Sequence, residues 1–149
     1  MNRFHIHLTV TDLAQSVAFY ETLFAAAPTV RKDDYAKWLL DDPRVHFAIS
    51  THGEVPGLNH LGIQAETGEE LAVLDARLAA LPAVVVRESK TACCYAESEK
   101  AWVADPQGVP WEAYHTMGEA RVFLPETDAT ARSCCVPQAV VPLTITRRD

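Results

Sequence analysis

The strand, helix cap and helix that open this chain are written a second time 55 residues later, and that repeat limits the available folds more than any other feature. Phe4, Ile6, Leu8 and Val10 alternate with His5, His7 and Thr9, the period-two pattern of a strand with one apolar face. Asp12 follows as a helix N-cap with Gln15 three residues on, and Leu13, Val17, Phe19, Tyr20, Leu23 and Phe24 form a helical stripe ahead of Pro28. In the second copy His60 falls on His5, Leu61 on Ile6, Ile63 on Leu8 and Ala65 on Val10. Thr67 and Glu70 then fall on Asp12 and Gln15, and Leu74 and Leu78 on Phe19 and Leu23, without a gap.

Three short strands follow each helix. In the first half they are predicted at 29–32, 35–40 and 45–51, with Asp41-Asp42-Pro43 as the last turn. In the second half they are predicted at 84–87, 94–104 with an irregularity inside, and 110–116, with Asp105-Pro106-Gln107-Gly108 as the turn. The expected fold class is α+β: two βαβββ modules, about 1–55 and 56–117, whose open sheets pair into a cleft. A ligand belongs in that cleft, where strands of both halves supply inward side chains. A chain of 149 residues suits a single domain, placed at 1–117. Beyond Met117 the pattern fades, and 118–149, with Pro137 and Pro142, reads as a flexible or loosely attached tail.

Composition excludes several function classes. The apolar content of 48% is that of a soluble globular protein, and no run approaches the roughly 18 apolar residues of a membrane span. The opening MNRFHIHLTV has neither a basic region followed by an apolar stretch nor a cleavage site, so the expected location is the reducing cytoplasm. A net charge of −7 disfavours a nucleic-acid partner, which calls for Lys and Arg gathered on one face. A homodimer is left open. The four cysteines come as adjacent pairs, Cys93-Cys94 and Cys134-Cys135. Neighbouring Cα atoms stand about 3.8 Å apart, too close for an unstrained disulfide, so each pair is expected to be two free thiols.

His5 and His60 hold the same place in the two copies, so a pseudo-twofold axis brings their imidazoles together at the cleft. Aligning the closing strands through Asp42-Pro43 and Asp105-Pro106, with one extra residue in the second, pairs Glu112 with Ala48. The expected metal ligands are therefore His5, His60 and Glu112, with the symmetry-related fourth place taken by a methyl group. Two imidazoles and a carboxylate with positions left open suit non-haem Fe(II) and O2 chemistry; Ni(II), Co(II), Mn(II) or Zn(II) can occupy the same set. A structural zinc site would want a fourth protein ligand. Isolated strand histidines are more often hydrogen-bonded or at the surface, and His7 points to the same face as His5, so only the repeat prefers His5. His115 falls on the opposite face of its strand from Glu112, and His46 and His52 are read as surface residues.

Cys93-Cys94 lies where the second half enters its cleft-forming strands. Two small buried hydrophobes would be the plain reading, but adjacent thiolates beside a metal centre form a soft bidentate clamp for trivalent arsenic or Cd(II).

Asn59-His60-Leu61-Gly62, Cys93-Cys94-Tyr95-Ala96, Lys100-Ala101-Trp102-Val103 with Asp105-Pro106-Gln107-Gly108, and Trp111-Glu112 resemble the vicinal oxygen chelate superfamily. The likeness runs from Met1 to about Met117 and is nearest to the organoarsenical carbon–arsenic lyases and the cadmium-induced proteins. It implies a glyoxalase-like open barrel and an Fe(II)- and O2-dependent cleavage of trivalent organoarsenicals to arsenite, an arsenical detoxification. In that reading Cys93 and Cys94 are the catalytic, substrate-binding thiols and the metal activates O2, while Cys134 and Cys135 are dispensable. The first-strand ligand varies within the family, so His5 is the member of the metal set least fixed by the likeness. A thiol protein that sequesters Cd(II) or arsenite is the competing reading. A glyoxalase or ring-cleaving dioxygenase is disfavoured by Ala48 and by the vicinal thiols, which neither needs.

Overall fold

A computed structural model of the chain describes residues 1–93, 95–119 and 136–140. The first half runs β1 (Arg3–Thr9), α1 (Leu13–Phe24), β2 (Val30–Arg31), β3 (Tyr35–Asp41) and β4 (Arg44–Ser50). The second runs β5 (Gly57–Ala65), α2 (Gly68–Ala79), β6 (Val86–Cys93), β7 (Ala96–Ala104) and β8 (Pro110–Glu119). Both halves thus have the expected βαβββ order. Their caps match as well: the Asp12 carboxylate accepts from the Gln15 amide at 2.9 Å, and the Thr67 hydroxyl accepts from the Glu70 amide at 3.2 Å.

One mixed sheet holds all the described strands in the order β2-β3-β4-β1-β5-β8-β7-β6. β1 runs parallel to β4 and β5 parallel to β8, while β1 and β5 meet antiparallel at the centre, where the pseudo-twofold lies. The register tests the repeat frame residue by residue. Ile6 pairs with Phe47 and His7 with Ala48; Leu61 pairs with Trp111 and Gly62 with Glu112. Ala48 and Glu112 therefore occupy equivalent places.

Alternation along β1 divides the molecule into two faces. Ile6, Leu8 and Val10 turn outward onto α1, where Val17, Trp38, Phe47 and Ile49 form a buried apolar cluster. α2 covers the second half in the same way, burying Leu71 and Leu74 against Ala65 and Ala113. His5, His7 and Thr9 turn to the opposite, concave face and are buried there. The apolar layers thus lie outside the curve of the sheet, and a polar cavity lies inside it.

Two boundaries differ from the sequence expectation. β6 continues to Cys93, opposite Ala96, and Tyr95 stands in the turn into β7, in the left-handed region at φ 61°. The irregularity expected within 94–104 appears as a register shift at Glu97/Ser98 against β8. In the segment read as a tail, Val136 and Val140 are buried against Trp102, and Gln138–Val140 forms a short 3-10 turn. Among the described residues no helix is long and apolar enough to cross a membrane.

Candidate metal centre

The cavity on the concave face is lined by residues of both halves, among them His5 and His46 from the first and His60, Lys100 and Glu112 from the second. The structure brings the three expected ligands together. His5 Nε2 stands 3.0 Å from His60 Nε2, and Glu112 Oε2 lies 3.8 Å from the former and 3.6 Å from the latter. All three side chains are buried.

Their hydrogen bonds decide what these atoms can accept. The Thr9 hydroxyl donates to the His52 carbonyl at 2.9 Å and so accepts from the Asn59 side-chain amide at 3.1 Å. That orients the Asn59 carbonyl oxygen toward His60, whose Nδ1–H donates to it at 2.7 Å. His5 Nδ1–H likewise donates to the His46 carbonyl at 3.2 Å. Each ring thus spends its proton on the far nitrogen, and both Nε2 lone pairs face each other and a carboxylate. A shared proton would satisfy one pair of these atoms and leave the third. Protonation of His5 is also opposed, first by burial and then by His46 and His60, which hold its pKa well below the usual value. Donors on one ion at about 2.0–2.2 Å stand roughly 3–3.6 Å apart, so the triangle fits a divalent metal. The Nδ1–H partners supply the outer hydrogen bonds that metal-ligating imidazoles require.

Glu112 reaches this state through Lys100. Burial alone would raise its carboxyl pKa, but the Lys100 ammonium, donating to Oε1 at 2.8 Å, holds it well below the carboxylate range. Gly62 has a related function. A Cβ there would stand 2.4 Å from the Glu112 carbonyl oxygen, so only glycine lets β5 and β8 approach closely enough to present Glu112.

His7 is buried in the same cluster, and one of its nitrogens lies within 4.8 Å of those of His5 and His60. Its Nε2 is engaged with the Ser50 hydroxyl at 2.9 Å, whereas Nε2 of His5 faces His60 and Glu112 directly. His5, His7 and His60 thus form a second possible donor set, in which His7 would have to give up Ser50. His46, expected at the surface, is buried beside His5 with ring centroids 4.6 Å apart. Its Nδ1 takes the Tyr114 hydroxyl, and its Nε2 has no hydrogen-bond partner among the described residues. Burial first, then Lys37, lowers the His46 pKa to about 3. His52 keeps a side chain 35% exposed and pairs with Asp34 at 2.7 Å. His115 faces away and donates to the Ala65 carbonyl at 3.2 Å. Cys93 ends β6 opposite Ala96, which lines the cavity; Cys94, Cys134 and Cys135 lie outside the described residues.

No protein-family model matches the chain. It is 38% identical over 135 residues to a trivalent organoarsenical cleaving enzyme of Bacillus sp. (strain MD1), covering 89% of this chain and 81% of that protein. It is 32% identical over 148 residues to the cadmium-induced protein CadI of Mycobacterium tuberculosis, covering 95% of this chain and 97% of that one. Among solved structures, homoprotocatechuate 2,3-dioxygenase from Arthrobacter globiformis superposes with a TM-score of 0.57 at 16% identity, over 83% of this chain and 38% of that one. At that identity the likeness is one of fold.

Proposed function

The chain belongs to the family of the trivalent organoarsenical cleaving enzymes and cadmium-induced proteins, within the vicinal oxygen chelate superfamily, and from that premise we propose that it is an Fe(II)- and O2-dependent carbon–arsenic lyase. The observation that carries the reading is the convergence of the two Nε2 lone pairs and the Glu112 carboxylate on one point of the cavity. His5, His60 and Glu112 would hold the metal, and Fe(II) bound there would bind and activate O2, while the electrons that O2 takes up come from the carbon attached to arsenic. Lys100 keeps Glu112 ionised, and Asn59 keeps the His60 proton on Nδ1. Cys93 and Cys94 capture trivalent arsenic by exchanging its hydroxyl groups for thiolate sulfur, leaving the organic group on arsenic to react. With methylarsonous acid the atoms balance against O2 as arsenous acid plus formaldehyde, arsenic staying trivalent while carbon is oxidised. Free thiols of this kind belong in a reducing cytoplasm.

The names of the cadmium-induced relatives support a second reading, sequestration of a thiophilic ion without turnover. One experiment separates them: Fe(II)-loaded protein is mixed with methylarsonous acid with and without O2, and arsenite and formaldehyde are measured. The lyase reading expects O2-dependent release of both, lost in Cys93→Ser and Cys94→Ser variants that still bind Fe(II). Arsenical binding with no O2-dependent product would establish sequestration instead.

A further inference from the structure

Tyr95 occupies a left-handed backbone conformation, φ 61°, that bulky residues adopt only when their surroundings hold them there. What holds it comes from the other half of the molecule. Its hydroxyl donates to Asp34 Oδ1 at 2.6 Å, its ring lies 5.8 Å from the Tyr35 ring, and Lys32 Nζ stands 5.4 Å from its centroid. Asp34 sits between β2 and β3, so a turn of the first module grips the tip of the hairpin that carries Cys93 and Cys94.

The contact continues inward. The other Asp34 oxygen accepts from His52 Nε2–H at 2.7 Å. The His52 carbonyl accepts from Thr9 at 2.9 Å, Thr9 accepts from Asn59 at 3.1 Å, and Asn59 accepts from His60 Nδ1–H at 2.7 Å. Hydrogen bonds on either side of His52, one to its ring and one to its carbonyl, therefore join the hairpin to His60 through that residue. Gly53 is shaped to it: at φ 124°, a Cβ there would stand 2.4 Å from the Thr9 hydroxyl and 3.2 Å from the Asn59 amide. The Asp34 carboxyl is ionised: burial opposes this, but the hydrogen bonds from Tyr95 and His52 outweigh it and lower the pKa.

We infer that Asp34 is a positioning residue that docks the thiol hairpin at a set distance from His60, so that captured arsenic meets the metal centre in one geometry. The inference rests on the reading of Cys93 and Cys94 as the arsenic-binding pair, and it deepens that reading by naming what aligns the two half-sites. Asp34 touches neither the metal ligands nor the substrate; it acts through Tyr95 on one side and His52 on the other.

The test uses full-length, metal-loaded protein carrying Asp34→Ala, Tyr95→Phe or both, titrated with methylarsonous acid and assayed for turnover. Each single variant should weaken arsenical binding and raise KM about tenfold, as expected for losing one charge-assisted hydrogen bond. The double variant should be no worse than Asp34→Ala, since both remove the same link. Mn(II) affinity should stay unchanged, which a general loss of structure would not allow. The docking is also read without arsenic: alkylation of Cys93 and Cys94 by iodoacetamide, followed by mass spectrometry, should speed up several-fold when the hairpin is released. Unchanged alkylation rates, or additive losses in the double variant, would overturn the inference. Should the unsubstituted protein bind no arsenical through its thiols, the lyase reading fails, and the alkylation rates still decide the positioning role. Tyr95→Phe keeps the ring and its packing, so it remains informative if Asp34→Ala does not fold.

Discussion

Replacing Lys100 with Met isolates the element on which the charge state of the site depends. Lys100 Nζ and Glu112 Oε1 are 2.8 Å apart, with side chains 5% and 4% exposed. At an effective dielectric of about 20, that attraction is roughly 6 kcal/mol, and removing one partner of a buried pair typically costs about 3–5 kcal/mol once the surroundings relax. A single domain has only about 5–15 kcal/mol of stability, so the metal-free variant should lose about a fifth of it or more. The metal-loaded variant should not. A divalent ion between His5, His60 and Glu112 neutralises the carboxylate that Lys100 no longer serves, so the gap between wild type and Lys100→Met should shrink by at least half at saturating Mn(II). Urea unfolding of both proteins, with and without Mn(II), measures all four stabilities. A metal-free loss below about 1 kcal/mol would show that Glu112 does not depend on Lys100 for its charge. An equal loss with and without Mn(II) would show that the metal does not meet Glu112.

Three further outcomes are expected. Gly62→Ala forces a methyl group to 2.4 Å from the Glu112 carbonyl oxygen; it should destabilise the protein by about 1–3 kcal/mol and weaken Mn(II) binding, whereas a change within about 0.5 kcal/mol would contradict the close-approach argument. Asn59→Ala frees the His60 ring to take the other tautomer, and calorimetry should find Mn(II) affinity down about 10- to 100-fold with little change in unfolding midpoint. Because His5 and His46 have folded pKa values below the unfolded value of 6.5, the unfolded chain binds the extra protons, so metal-free stability should fall as pH drops from about 6.5 toward 3. The slope should reach about 2.7 kcal/mol per pH unit where both protons differ, and a flat profile from pH 7 to 5 would contradict their neutral burial.

The convergence of His5, His60 and Glu112 was legible because two signals were redundant. The repeat placed His60 on His5, and the two turns aligned Ala48 with Glu112, a pairing that the strand register reproduces. His46 was not legible. On β4 the run Phe47, Ala48, Ile49 and Ser50 is buried on both faces, so alternation carries no information there, and its partner Tyr114 is 68 residues away. The turn at Tyr95 was missed for a related reason: the sequence around it has none of the Gly, Asn or Asp residues by which tight hairpins announce themselves. Tyr95 holds its strained angle through Asp34, a contact across the two modules. Asn59 and Gly62 stood inside a recognised motif, but their functions, orienting one ligand and clearing space for another, exist only once β5 lies against β1 and β8.

Divergence between the halves then sets the electrostatics of the cavity. Where Glu112 faces Trp102 across β7 and β8, its counterpart Ala48 faces Lys37 across β3 and β4. Of the described cavity residues, Lys37 and Lys100 are cationic and Glu112 is anionic, while burial keeps His5 and His46 neutral. Lys100 and Glu112 offset each other, and a divalent ion held by His5, His60 and Glu112 would make the cavity positive. Buried charge of one sign is costly unless ligands of the other sign arrive with it, so the cavity favours groups that enter as anions or lose a proton there. In the proposed reaction thiolates at Cys93 and Cys94 would answer that demand, since a cationic neighbourhood lowers thiol pKa and thiolate sulfur is the form that binds trivalent arsenic. Negative charge developing on oxygen as O2 accepts electrons answers it too. In the proposed reaction arsenic capture and oxygen reduction would thus draw on the same positive field, and Lys100, by holding Glu112 ionised without leaving the cavity negative, would make the two compatible in one site.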